Sequence, residues 1–157
     1  MIHEYGAVRV RPAQTTDAVE LAPRLREADL REIQAGSNRT PQAALESALS
    51  ISTQAYAIEC NGRVEALFGV ADTNDPQLGA VWLLGSDNLK AFRYTFLRHS
   101  KTWLNKLFAD YRLLGNWVDA RNTVHIEWLK WLGFRGLQRA PIGRNGEVFV
   151  EFAKLPS

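Results

Sequence analysis

Residues 122–134 read Asn122-Thr-Val-His-Ile-Glu-Trp-Leu-Lys-Trp-Leu-Gly-Phe134, and this stretch decides the fold. Asparagine is a helix-capping residue, because its side-chain oxygen can accept a backbone N–H of the first turn. Residues 123–132 then form a predicted helix, which Gly133 ends at the position where a left-handed conformation is easiest for glycine. Asn122, His125 and Leu129 stand at i, i+3 and i+7, so they share one helical face. Just upstream, residues 113–118 read as a buried strand, and Ala120-Arg121-Asn122 leads from it into the helix. The unit is a strand, a polar turn, a helix and a return to the sheet.

Working outward, two closing strands at 136–140 and 147–154 flank the turn Gly143-Arg144-Asn145-Gly146. Upstream lies a predicted long helix over 89–110, whose Leu89, Phe92, Phe96, Trp103, Leu107 and Phe108 recur close to helical spacing and form a core stripe. Gly85-Ser86-Asp87-Asn88 separates that helix from residues 80–84, Ala-Val-Trp-Leu-Leu. Such an apolar run is expected of a strand buried on both faces. Before it, strands at 56–60 and 63–70 flank Asn61-Gly62, a strong hairpin turn. Thr40-Pro41 opens a helix with Thr40 as cap and Pro41 at its first position. Asp17 to Glu20 has the spacing of a capping box for an earlier helix ending near Gly36. Residues 7–12 alternate Val8 and Val10 with Arg9 and Arg11, as a half-buried strand does. The predicted order is β-α-α-β-β-β-α-β-α-β-β, an α/β domain spanning 1–157 with helices on both faces of its sheet.

Composition agrees with a globular protein: 157 residues, 46% apolar and 23% charged. Met1 to Tyr5 lacks the basic and apolar regions of a secretory signal, and no apolar run reaches the ~18 residues of a membrane span. Cys60 is the single cysteine, which excludes an intramolecular disulfide and a four-cysteine zinc site. The bland expectation is a cytoplasmic protein. The net charge of +2 conceals a basic half, since between Lys90 and Arg144 cations far outnumber Asp110, Asp119 and Glu127. A basic half attracts anions, but a solvated helix face explains it as well, and nucleic acid ranks below small anions as a partner. His3, His99 and His125 have no metal-ligand spacing, and neither a Walker loop nor a Gly-x-Ser-x-Gly elbow occurs.

The element order, with Asn122 opening a helix that ends in Leu132-Gly133-Phe134, resembles the GNAT (acyl-CoA N-acyltransferase) superfamily. The resemblance implies the GNAT fold: a mixed, mostly antiparallel sheet of six to seven strands flanked by about four helices. It also implies acetyl-CoA in a cleft between the fourth and fifth strands of that order. The backbone near Leu83, Leu84, Gly85 and Ser86 would orient it, Asn122 would contact its pantetheine arm, and Asn116 would lie beside it. From 92 to 134, the series Phe96-Leu97-Arg98, Trp103-Leu104, Asn116-Trp117-Val118 and His125 to Phe134 is similar to GNAT-like proteins of tailed bacteriophages. The gene-13-type proteins of T7-like phages are among these.

Two positions depart from the superfamily pattern. Its usual pyrophosphate loop, Gln/Arg-x-x-Gly-x-Gly/Ala, is replaced by Leu84-Gly-Ser-Asp-Asn-Leu-Lys-Ala91, with one glycine and with Asp87 at the helix terminus. A carboxylate there repels a pyrophosphate, and Lys90 and Arg93 are the nearby cations that would compensate. The tyrosine that protonates the leaving thiolate in many relatives is Leu129, which cannot transfer a proton. His125 is then the candidate acid or base, since imidazole titrates near neutrality. Glu59 and Glu65 are further carboxylates, read as exposed on alternating strands. Two functions stay open. One is an N-acetyltransferase of phage or prophage origin acting on an amine. The other is a catalytically inactive GNAT-fold phage protein, engaged with phage or host proteins in the cytoplasm or virion. Asn122→Ala is expected to weaken coenzyme binding while leaving the fold intact.

Overall fold

The computed structural model of the chain describes residues 2–156. Its elements are β1 (His3–Tyr5), β2 (Val8–Pro12), α1 (Thr15–Leu21), α2 (Glu27–Gly36), α3 (Pro41–Ile51), β3 (Ser52–Cys60), β4 (Arg63–Asp72) and β5 (Leu78–Gly85). There follow α4 (Arg93–Arg98), α5 (Ser100–Leu107), β6 (Leu113–Asp119), α6 (Thr123–Trp131), β7 (Arg135–Ala140) and β8 (Phe149–Lys154). Short 3-10 turns occupy Ala22–Arg24 and Asp87–Phe92. The strands form one sheet in the order β1-β2-β3-β4-β5-β6-β8-β7, antiparallel except for the β5–β6 pair. The mixed, mostly antiparallel α/β architecture is as expected, with eight strands instead of six or seven.

The extra strand, β1, is three residues long and folds back over Gly6 at φ +69, too short for alternation to reveal it. The first helix begins earlier than expected. The Asp17 carboxylate accepts the Gln14 N–H at 2.7 Å, so Asp17 is the third residue of the first turn rather than its cap. The predicted helix over 89–110 is broken into three pieces. Its winding is interrupted at Phe92 and His99, both near ψ zero. At the second break the His99 ring stacks on Tyr5 at 3.8 Å, and the Ser100 hydroxyl donates to the Leu97 carbonyl at 2.7 Å. The Ser100 bond competes with continued helical bonding. The apolar stripe survives, because Leu89, Phe92, Phe96, Trp103 and Leu107 are all buried.

Two apolar layers cover the sheet. One packs α4, α5 and α6 on Val10, Ile58, Phe68, Val70 and Val81; the other packs α1 and α3 on Ala57 and Leu67. Among the described residues no helix is long and apolar enough to cross a membrane. Asn61 and Gly62, both at positive φ, make the expected hairpin turn, and Thr40 caps α3 through the Ala43 N–H.

What positions the site is the divergence of β5 from β6. They pair only at Leu78↔Leu113, Gly79↔Leu114 and Ala80↔Gly115. Beyond that, β5 stays with β4 as far as Gly85, whereas β6 continues with β8 as far as Asp119. The predicted both-face burial of 80–84 therefore fails at Trp82, Leu83 and Leu84, which are half-buried because no strand covers their open edge. Tyr111 closes the base of the V. Its hydroxyl donates to Asp72 at 2.6 Å, and its ring lies so near Gly79 that a Cβ there would meet it at 2.8 Å. Burial and the Asp72 carboxylate raise the Tyr111 pKa, which keeps the phenol a neutral donor.

Candidate functional site

Inside the V is a slot of about 60 Å³. β5 contributes Val81, Trp82 and Leu83, and β6 contributes Asn116. α5 adds Trp103, Leu104 and Leu107, while α6 adds His125, Trp128 and Leu129. Its walls are apolar and aromatic, with Phe68, Phe96 and Trp103 packed edge to face. Among the residues lining it, His125 is the only one with an ionisable side chain. Of the residues singled out in the sequence, Leu83, Asn116 and His125 thus meet in one slot. Leu84, Gly85, Ser86 and Asn122 do not line it.

The turn after β5 has most of its donors committed. The Gly85 N–H donates to Asp29 Oδ2 at 2.9 Å, and the Ser86 N–H to the Glu65 carbonyl at 2.8 Å. The Ser86 hydroxyl donates to Glu65 Oε1 and the Asn88 amide to Glu65 Oε2, both at 2.9 Å. Ser86 in turn accepts the Asn88 N–H at 3.2 Å through its hydroxyl and the Leu89 N–H at 3.2 Å through its carbonyl. Glu65 is buried rather than exposed, and Arg24 reaches it at 2.5 Å. Burial alone would raise the Glu65 pKa. The donors from Asn88, Ser86 and Arg24 together outweigh that and hold it below the ordinary glutamate value. Glu65 is consequently a fixed anion and a poor proton acceptor near neutrality. Glu59 is likewise engaged, bonded to Arg11 at 2.5 Å.

Asp29, fully buried, ties the two arms of the V together. Besides the Gly85 N–H it accepts Asn122 Nδ2 at 3.0 Å and both Nε and Nη2 of the buried Arg26, at 3.0 and 2.8 Å. Asn122 also accepts the His125 N–H at 3.3 Å, capping α6 as its sequence position predicts. Both ends of the Asn122 amide are thereby occupied inside the protein. Asn122→Ala removes a cap and a buried hydrogen bond, so a loss of stability is expected beside any loss of coenzyme binding.

His125 is buried, and its Nδ1 has no hydrogen bond among the described residues. Glu32 Oε2 lies 3.7 Å away, just beyond hydrogen-bond reach, while Glu32 Oε1 accepts the Asp119 N–H at 2.8 Å. Asp119 is bonded by Arg121 at 2.7 Å, which holds its pKa below the ordinary aspartate value. A carboxylate already anchored by a strand terminus thus faces the imidazole from α2.

No family model matches the sequence, and no curated protein matches it either. Solved structures do match in shape. The GNAT-family acetyltransferase of Bacillus anthracis superposes with a TM-score of 0.73 at 10% identity, covering 99% of each chain. The ribosomal-protein-S5-alanine acetyltransferase of Vibrio fischeri gives 0.70 at 12% identity, over 100% of this chain and 97% of its own. This chain has the GNAT fold. A further GNAT-shaped neighbour is YncA of Salmonella typhimurium, solved with its cofactor acetyl-CoA, at a TM-score of 0.69 and 14% identity over 97% and 95% of the two chains. None of these matches connects the chain with bacteriophages.

An acyl-CoA ligand at this place in the fold would meet two different receptions. The slot is apolar and, at about 60 Å³, has room for roughly two waters or an acyl group. The turn is a poor fit for a pyrophosphate, since the N–H groups of Gly85, Ser86, Asn88 and Leu89 are spent on Asp29, Glu65 and Ser86, and the Asp87 N–H is left without an acceptor among the described residues. Sequence reasoning missed Asp29, Glu32 and Arg26, which carry much of this arrangement. Asp29 and Asn122 are 93 residues apart, and nothing local in the Glu-Ala-Asp-Leu-Arg-Glu run marks it as buried. The one available signal was Arg26 with Asp29 at i, i+3, the spacing of a helical ion pair.

Proposed function

We propose that this GNAT-fold chain is an N-acyltransferase that moves an acetyl group from an acyl-CoA thioester to an amine. The observation that carries the reading is the slot at the β5–β6 divergence, whose single ionisable lining residue, His125, is backed by Glu32. In this reading Leu83 and Asn116 flank the acyl group, and the aromatic walls exclude water from it. The thioester supplies an activated carbonyl. The amine nitrogen forms the new C–N bond, the C–S bond breaks, and the amine's surplus proton passes through His125 to the departing sulfur. Glu32 stabilises the imidazolium that exists between those two transfers, as a nearby carboxylate does. One residue then serves as both base and acid, and Leu129 need not transfer a proton. Since most donors of the turn are engaged internally, Lys90 and Arg93 are the cations that attract the diphosphate, with Leu84, Gly85 and Ser86 serving as scaffold.

The test is isothermal titration with acetyl-CoA and desulfo-CoA, followed by release of free thiol in the presence of mixed amines. Saturable micromolar binding is expected. His125→Gln should lower kcat by about 10²–10⁴-fold with little change in KM. Glu32→Gln should also lower kcat with little change in KM, because the imidazolium formed during transfer loses its counter-charge. Absence of heat at millimolar ligand would overturn the reading.

A second reading is favoured by one feature, the turn whose donors are mostly engaged internally. In it the chain keeps the GNAT fold without transferase activity and acts on phage or host proteins, in a virion or a host cytoplasm. That reading expects no response to coenzyme. It instead expects partner binding through exposed aromatics such as Tyr94 and Trp131, which are 61% and 67% exposed.

A further inference from the structure

On another part of the surface, the α2–α3 loop and the β7–β8 turn enclose a hollow of about 630 Å³. Four arginines from separate segments line it: Arg31 on α2, Arg39 in the α2–α3 loop, Arg121 before α6 and Arg144 in the β7–β8 turn. None of its lining residues lines the apolar slot. The hollow is preformed. The Arg144 N–H donates to the Ala35 carbonyl at 2.7 Å, fastening the turn to the end of α2. The Arg39 N–H is held by the Ser37 hydroxyl at 3.3 Å, and the Thr40 hydroxyl takes the Ala43 N–H at 3.2 Å.

Charge is unevenly compensated there. Arg31 pairs with Glu27 and Arg121 with Asp119, each at 2.7 Å. Neither Arg39 nor Arg144 has a side-chain partner among the described residues. Glu147 is the one acidic lining residue, and its Oε1 accepts the Asn145 N–H at 2.8 Å. Like charges gathered around a concavity raise the local concentration of a counter-ion. Guanidinium forks match the oxygen geometry of phosphates and carboxylates, and a multiply charged group uses several forks at once. The volume lies within the ~300–1,000 Å³ of small-ligand pockets.

We propose that this hollow is a binding site for a small organic molecule carrying a phosphate group, gripped by Arg39 and Arg144, with Arg31 and Arg121 contributing field. The site stands independently of acyl transfer.

The test is titration of the full chain with inorganic pyrophosphate as probe, by calorimetry and by arginine side-chain NMR shifts, at low and high salt. Saturable binding is expected, with shifts at Arg39 and Arg144. The double variant Arg39→Gln/Arg144→Gln should weaken it at least tenfold, in line with the loss of two charge-assisted bonds. Its melting temperature should stay unchanged, because both side chains are exposed and unpartnered. The control Arg98→Gln/Arg112→Gln removes the same charge from distant exposed positions and should change affinity by less than about threefold, as screened surface charge does. Equal weakening by the two double variants, or no saturation by the probe, would overturn the site. Tighter binding of citrate than of pyrophosphate would overturn its assignment to phosphate.

Discussion

The two arms of the V face each other across a few residues, yet treat their polar groups oppositely. At the end of β5, the N–H groups of Gly85, Ser86, Asn88 and Leu89 all have internal acceptors, and Glu65 gathers the Ser86 and Asn88 side chains. At the start of α6, the cap is equally satisfied, but one turn further the buried His125 Nδ1 has only a carboxylate 3.7 Å away. Saturated groups hold a shape; unsatisfied ones are available for chemistry. A turn can thus keep its place in a fold while committing most of the donors that such a place usually offers.

The comparison breaks most violently at Asp29, which both arms share. Asp29→Ala leaves the buried Arg26 guanidinium without its counter-charge and frees the Gly85 N–H and Asn122 Nδ2. A loss of about 3–5 kcal/mol is expected, the usual result of breaking a buried pair from one side. Urea unfolding followed by tryptophan emission measures it, and a loss under 1 kcal/mol would show that the arms are not tied there.

Asn122→Ala should cost less, about 2 kcal/mol, from the cap and one buried bond. A double-mutant cycle with Asp29→Ala should reveal coupling of ~0.5–3 kcal/mol between the two positions. Additive effects would separate the arms.

The gentlest probe is pH. The Glu65 pKa is held below its ordinary value of 4.5, so the unfolded chain takes up the proton first as acid is added. This contribution to stability is complete above about pH 4.5 and falls as pH drops toward the lowered folded value. Glu65→Gln should flatten that acid limb of the stability curve while leaving its neutral shape alone. An unchanged limb would mean that the donors of the turn do not grip the carboxylate.

Local chemistry decides how much of this was legible in the sequence. Asn122, Gly133, Thr40-Pro41 and Asn61-Gly62 each act through their immediate neighbours, and each lies where its residue type predicts. The helix over 89–110 is broken at His99, where Tyr5 from a distant segment stacks on the ring, a contact that no spacing within 89–110 announces. β5 looked doubly buried because an apolar run does not tell whether its neighbour strand stays alongside. The Asp29 and Glu32 contacts, like the four arginines of the hollow, form only when α2 meets the turns around β6 and β8. No spacing within α2 announces them.

The aromatic walls of the slot have an optical consequence. Trp82, Trp103 and Trp128, three of the five indoles, border it, while Trp131 is largely in water. Anything that enters will alter the blue side of the emission spectrum and leave the red side as an internal standard. The protein is, in effect, its own fluorescent gauge of whether the slot is filled.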